Sequence, residues 1–395
     1  MDTITHGIAG ALIGKVFFGG EDLFTRQPLT QRRVAAMAAT LGAVFPDVDI
    51  VRDVVSRDPM TLLTWHRSWT HSLVMLPVFA LGLAALTRYV ARKRAISSPS
   101  FALLLLIYAV GIGSHIFLDY ATSFGTMLWT PLSRTRESWD LLFIIDFTLT
   151  AVVLVPQFVA ALYRAREGFP RRALRMWLGF SACAGLAAWL LTAAEFPPSL
   201  AAMFAVLCIL AVLFFAPAAG GWGYRVSLKN WNRAGFVVFA AYMGLAAWAH
   251  HAAMTRIEKF AEEKGLPVET LGALPLPPSV LHWDGLVRTP RGVYEIRLNL
   301  LDRFPPGPQD PIVYSYYPDA PPNEFLAAAR RLPNVQTYLR FARFPVYRSR
   351  KEGGNTVVEF TDLRFFRSRR RPAPFTYQVV FDAEENVLEQ GWVKE

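Results

Sequence analysis

Cysteine is nearly absent: Cys183 and Cys208 are the only two in 395 residues. Both fall in long apolar stretches, which leaves no disulfide framework and no thiolate zinc site. Charge is sparse as well, at 18% against 53% hydrophobic residues, too apolar a balance for an ordinary soluble enzyme of this length. The opening MDTITHGIAG lacks the basic segment of a cleavable signal peptide. Histidine is scarce too, with seven in the chain. Internal repeats and low-complexity segments are missing, and no apolar run long enough to span a bilayer follows Met254.

Before Met254 such runs recur, at 72–90, 101–119, 141–163, 174–194, 200–218 and 235–253. As helices rising 1.5 Å per residue, each reaches across a hydrocarbon core about 30 Å thick. Two shorter runs, 4–18 and 33–46, would pack inside a bundle. The expected fold is an α-helical polytopic membrane bundle of six to eight membrane helices, followed by a C-terminal α+β extracytoplasmic domain. Its expected parts are a core at 1–165, further transmembrane helices at 166–254 and a soluble domain at 255–395.

A net charge of +10 would suit a nucleic-acid partner if it formed one patch, but it is sorted by loop. Alternate loops carry sixteen basic residues (Lys15, Arg26, Arg32 and Arg33; Arg88 to Arg94; Arg164 to Arg175; Arg225 to Arg233), and the opposite loops carry five, Arg52, Arg57, Arg67, Arg134 and Arg136. That asymmetry is the positive-inside pattern. It places the N-terminus and the region after 254 outside the cytoplasm. The expected partner is therefore the lipid bilayer, with no nucleic acid.

Beyond 254, period-2 patterns at 293–300, 356–360 and 375–381 read as strands, and TPRG (289–292) and EGGN (352–355) as hairpin turns. Residues 323–332 read as one helix stopped before Pro333, prolines cluster at 275–278 and 304–311, and the basic run at 368–372 faces solvent or anionic lipid. His282 reads as an ordinary strand residue, and His250 and His251 as interfacial residues at a helix end.

Ionisable groups at membrane helices are expensive and each needs an account. The N-terminal half offers His6, Asp47, Asp49, His66, His71, His115, Asp119, Asp140 and Asp146. Followed through the alternation of helices, all of them fall at the outer face, which points to one shared site. His115 and Asp119 are one turn apart on one helix face. Asp140 reads as the N-cap of helix 141–163, and Thr70 as the cap of helix 72–90 with His71 in its first turn. Four imidazoles with four or five carboxylates suit zinc, iron or manganese and are too nitrogen-rich for calcium. They exceed one tetrahedral site, which implies two or three divalent ions.

THGIAG (5–10), PDVD (46–49), HRSWTHS (66–72), SHIFLDY (114–120) and Asp146 in IIDFT together resemble the YdjM family. That resemblance implies an inner-membrane, metal-dependent hydrolase, distantly similar to zinc-dependent phospholipase C and nuclease P1. Carried over, the ligands are His6, Asp47, Asp49, His66, His71, His115, Asp119 and Asp146. The family often has glycine where this chain has Ser68, and the motifs cover roughly residues 1–165.

The function expected is hydrolysis by a metal-activated water, on a phosphoester or phospholipid at the outer face. Asp49 or Asp146 would relay the proton, and Arg67, Arg134 and Arg136 would hold an anionic head group. The alternatives are a transporter or ion relay with a His/Asp metal site, and a non-catalytic regulatory membrane protein. A transporter should place functional groups near the midplane and on both faces.

Overall fold

Helix starts in this chain are written by short polar residues. In the computed structural model, which describes residues 1–19, 29–193, 196–277, 280–303, 312–365 and 375–393, Asp2 caps α1 (Thr3–Phe17) by accepting from the Thr5 amide. Thr30 does the same for α2 (Gln31–Val44). Arg26, the prolines at 304–311 and the basic run at 368–372 lie outside the described residues.

After α2 the chain makes a 3-10 turn over Phe45–Asp49, then α3 (Ile50–Val55), α4 (Thr61–Thr64) and a second 3-10 turn at Trp69–His71. The longer helices α5 (Leu76–Lys93) and α6 (Phe101–Tyr120) follow, then α7 (Phe147–Leu162), α8 (Phe169–Ala193), α9 (Leu200–Ala219) and α10 (Leu228–Glu263).

Among the described residues five helices are long and apolar enough to cross a membrane: Gln31–Val55, α6, α8, α9 and α10. The number rises to six if Thr61–His71 and α5 count as one broken span, so the upper end of the expected six to eight is not reached. The difference lies in α1 and α7, of 15 and 16 residues. Helix 141–163 was expected to begin at Asp140. Instead Asp140 has a left-handed backbone with φ 55° in the preceding loop, and Asp146 is the cap, accepting from the Leu149 amide at 2.9 Å. Residues 141–146 are used by the loop, where the Leu141 and Leu142 amides bond the Ala121 carbonyl. Nor is Thr70 the cap of α5: the chain stays in a 3-10 turn through His71, and Ser72 Oγ accepts from the Val74 and Met75 amides before α5 starts.

The first compact unit comprises Met1–Val48 and Arg67–Ala246. Its centre is the contact of α1, α2 and α6 through small residues. A Cβ on Gly10 would stand 2.4 Å from Ala43 Cβ, and one on Gly111 would stand 2.8 Å from the Ala39 carbonyl. Glycine at both positions lets three backbones approach with Ala39 and Ala43 between them. Leu104, Ile107, Tyr108 and Ile112 of α6 then close the apolar core against Ala35, Ala38, Ala80 and Ala84.

The second unit comprises Asp49–His66 and Ala247–Glu395. It holds two four-stranded antiparallel meanders. The first is β1 (Thr270–Pro275), β2 (His282–Thr289), β3 (Gly292–Asn299) and β4 (Tyr314–Pro318). After α11 (Glu324–Arg331) and α12 (Pro333–Phe341) comes the second: β5 (Pro345–Glu352), β6 (Asn355–Asp362), β7 (Thr376–Phe381) and β8 (Val387–Trp392). Both expected hairpin turns are present, closing at Thr289–Gly292 and Glu352–Asn355. The helix expected at 323–332 does stop before Pro333, as α11 with Leu332 extended, and Pro333 then opens a separate helix. It sits at the first position of α12, where a missing amide hydrogen costs nothing. Leu286, Val293, Phe344 and Val346 pack the sheets together, while Ala249, Ala253 and Ile257 of α10 pack on Trp283 and Ile296. His282 opens β2 and His250 lies against Trp283, ring centroids 5.6 Å apart.

Candidate metal centre

His115 sits on α6 where that helix touches α2 most closely. Its Nδ1 is 2.7 Å from the Ala43 carbonyl, which only accepts, so Nδ1 carries the hydrogen and Nε2 presents a lone pair. Directly opposite, 3.0 Å away, is Nε2 of His71, brought in by the 3-10 turn. Asp119, one turn beyond His115, places Oδ2 3.1 Å from His71 Nε2 and 3.4 Å from His115 Nε2. Asp47, on the turn after α2, places Oδ1 3.4 Å from His115 Nε2 and 3.7 Å from His71 Nε2. One ligand atom from each of the four residues lies within 4.8 Å of every other. His71, His115 and Asp119 are fully buried, and Asp47 is nearly so.

The donor chemistry fits a divalent transition metal. Four donors at about 2.0–2.2 Å from one tetrahedral ion stand roughly 3.3–3.5 Å apart. The five nitrogen–nitrogen and nitrogen–oxygen separations here run from 3.0 to 3.7 Å. Two imidazole nitrogens and two carboxylates match zinc, and also iron or manganese.

Further groups fix the donors. Thr3 donates to Asp47 Oδ2 at 2.6 Å. Arg67 is buried, has a left-handed backbone with φ 58°, and places Nε 2.9 Å from Asp119 Oδ2. Its Nη1 donates to Thr122 Oγ1 at 2.8 Å, and the N-terminal ammonium of Met1 bonds Asp119 Oδ1. His6 Nε2 is 3.1 Å from the same oxygen, and its ring stacks on His115 at 3.6 Å between centroids. His6 Nδ1 is buried and has no hydrogen-bond partner among the described residues.

The family described as YdjM inner membrane protein matches residues 1–215, more than half the chain. This protein belongs to the YdjM family. The family described as the YfhP C-terminal alpha/beta plait domain matches residues 324–395, which hold α11, α12 and the second meander. No curated protein and no solved structure matches.

All four clustered donors lie in the YdjM-matched region, and the remaining candidates take other positions. His66 Nδ1 pairs with Asp49 Oδ1 at 3.0 Å inside the second unit, near Arg52 stacked on Trp65. Asp146 has both oxygens engaged, one by the Leu149 amide and one by Tyr242 Oη at 2.7 Å. Arg67 points inward onto Asp119. Arg136 donates to the Gly125 carbonyl and lies over Phe124, while Arg134 is exposed. Sequence reasoning missed Thr3, Thr122 and Tyr242. Thr3 had a signal, because it is one helical turn from His6; Tyr242 had none, because its partner is 96 residues away.

Proposed function

We propose that this YdjM-family chain is a membrane-bound hydrolase acting on a phosphoester or phospholipid at the outer membrane face. One observation carries the reading: a tautomer-fixed His115 Nε2 faces His71 Nε2 at 3.0 Å, beside two buried carboxylates. An imidazole lone pair aimed at a second imidazole and two carboxylates is a donor set that a divalent cation can fill. Asp47, His71, His115 and Asp119 would hold it, zinc being the first choice. His6 with its open Nδ1, and the His66–Asp49 pair, offer donors for a second or third ion. A bound divalent ion supplies a water that ionises near neutral pH and a Lewis acid for the phosphoryl oxygen.

The protein's own part is orientation and proton handling. Arg67 and His6 hold the Asp119 carboxylate, and Thr3 holds Asp47. Of the two carboxylates offered as proton relays, Asp49 is hydrogen-bonded to the His66 imidazole, whereas Asp146 acts as a helix cap. Phosphate as the recognised group rests on the resemblance to zinc-dependent phospholipase C and on exposed Arg134. The outer placement rests on the loop charge asymmetry. Against an ion relay stands the position of His115 and Asp119 in the last turns of α6.

The test is metal content by mass spectrometry, on detergent-purified protein and on His115→Ala, with a phosphoester panel assayed alongside. The expected outcome is at least one tightly held zinc-like ion in the parent, its loss in the variant, and hydrolysis that chelator stops. A parent that holds no stoichiometric metal after chelator-free purification and reloading would sink the reading.

A further inference from the structure

The segment between α6 and α7, residues 121–146, is not helical: 121–128 and 140–142 are largely buried, and 129–139 between them is mostly exposed. Backbone hydrogen bonds hold it in one shape: Thr126 and Glu137 exchange both bonds, and the Trp139 amide reaches back to the Tyr120 carbonyl at 2.8 Å. At its tip the Leu132 and Ser133 amides both bond the Trp129 carbonyl, at 2.7 and 3.1 Å. That tight turn presents Leu132 at 80% exposure, flanked by Trp129 at 44% and Trp139 at 40%. A rigid turn that holds a leucine and two indoles outward is a poor surface for water.

Two observations say what covers it. First, the surface is continuous with the exposed apolar side of α6, a helix long and apolar enough to span. Phe117, exposed on the last turns of α6, meets Trp139 edge to face at 6.5 Å, and Leu106 is exposed further along the same helix. Second, the composition is that of a membrane boundary rather than its interior. Trp129 donates its indole N–H to Glu137 at 2.9 Å, and exposed Arg134 lies two residues from Leu132. Tryptophan at the end of a span, with a cation beside it, belongs at head-group depth, where the ring is apolar and its N–H and the charge stay wet.

We propose that residues 129–139 form an interfacial seat, with Leu132, Trp129 and Trp139 set into the bilayer at the boundary of head groups and acyl chains and Arg134 at the level of the lipid phosphates. The occupant is the phospholipid bilayer itself. The seat directly follows the turn of α6 that bears His115 and Asp119. The seat is independent of whether the buried cluster is a hydrolase.

The test labels Leu132→Cys with an environment-sensitive fluorophore in the full chain, with Cys183→Ala and Cys208→Ala present, reconstituted in phosphatidylglycerol and phosphatidylethanolamine vesicles. Lipids brominated near the head of the acyl chain should quench the label several-fold more than aqueous iodide does, with a blue-shifted emission. Quenching by iodide and not by bromolipid would overturn the proposal, because the turn would then face water. Quenching by neither would overturn it too, because a protein surface, another copy included, would then cover the turn.

Discussion

Asp119 is the most heavily engaged side chain of the centre. A fully buried carboxylate is costly unless charge and hydrogen bonds surround it, and here Arg67, His6, His71 and the N-terminal ammonium do so. Arg67 is therefore a positioning residue, and its left-handed backbone is tolerated because the guanidinium is anchored at both ends. Arg67→Met should destabilise the first unit by about 3–5 kcal/mol, the scale for leaving a buried charge unpaired, and weaken metal binding about 10–100-fold. Arg67→Lys keeps the charge but loses the planar fork, and should fall between the two. Thermal unfolding and metal titration on both variants check this. Metal affinity unchanged in Arg67→Met would show that Asp119 is held without it.

The elements bring the donors together through the absence of side chains. His115 reaches the Ala43 carbonyl only because Gly10, Ala39, Ala43 and Gly111 allow α1, α2 and α6 to touch backbone to backbone. Gly111→Ala would place a methyl 2.8 Å from the Ala39 carbonyl and 3.1 Å from the Ala43 amide. Backbone has nowhere flexible to retreat, so α2 and α6 should separate and the His115 hydrogen bond should break. The expected result is loss of bound metal with membrane insertion retained, read by metal analysis of protein extracted from membranes. Retention of full metal occupancy would show that the helices tolerate the added distance.

The whole chain divides into two units with separate cores, one carrying the four clustered donors and the other built on two antiparallel meanders. A ligand stabilises the unit that binds it in its folded form. Calorimetry in detergent should therefore resolve two transitions, and chelation should lower the midpoint of one while leaving the other in place. An equal shift of both would mean that the units unfold as one.

The sequence by itself determined the apolar helices and the two glycine-bearing hairpins, which are local matters of periodicity and turn chemistry. It offered eight candidate ligands, and only the folded chain gathers Asp47, His71, His115 and Asp119 out of them. Helix ends were less legible: Asp140 and Asp146 are both fair caps for the same apolar run, and only the loop's hydrogen bonds to Ala121 select the second. Pro333 reads as the stop of one helix, and the fold also makes it the start of the next. Tertiary structure alone decided that His115 bears its hydrogen on Nδ1, that Arg67 turns inward, that Asp146 meets Tyr242, and that residues 49–66 join the second unit. Each of these joins groups far apart in the chain, or divides near neighbours, through packing. No spacing rule carries that information, because the distance between such groups is set by how closely the helices approach.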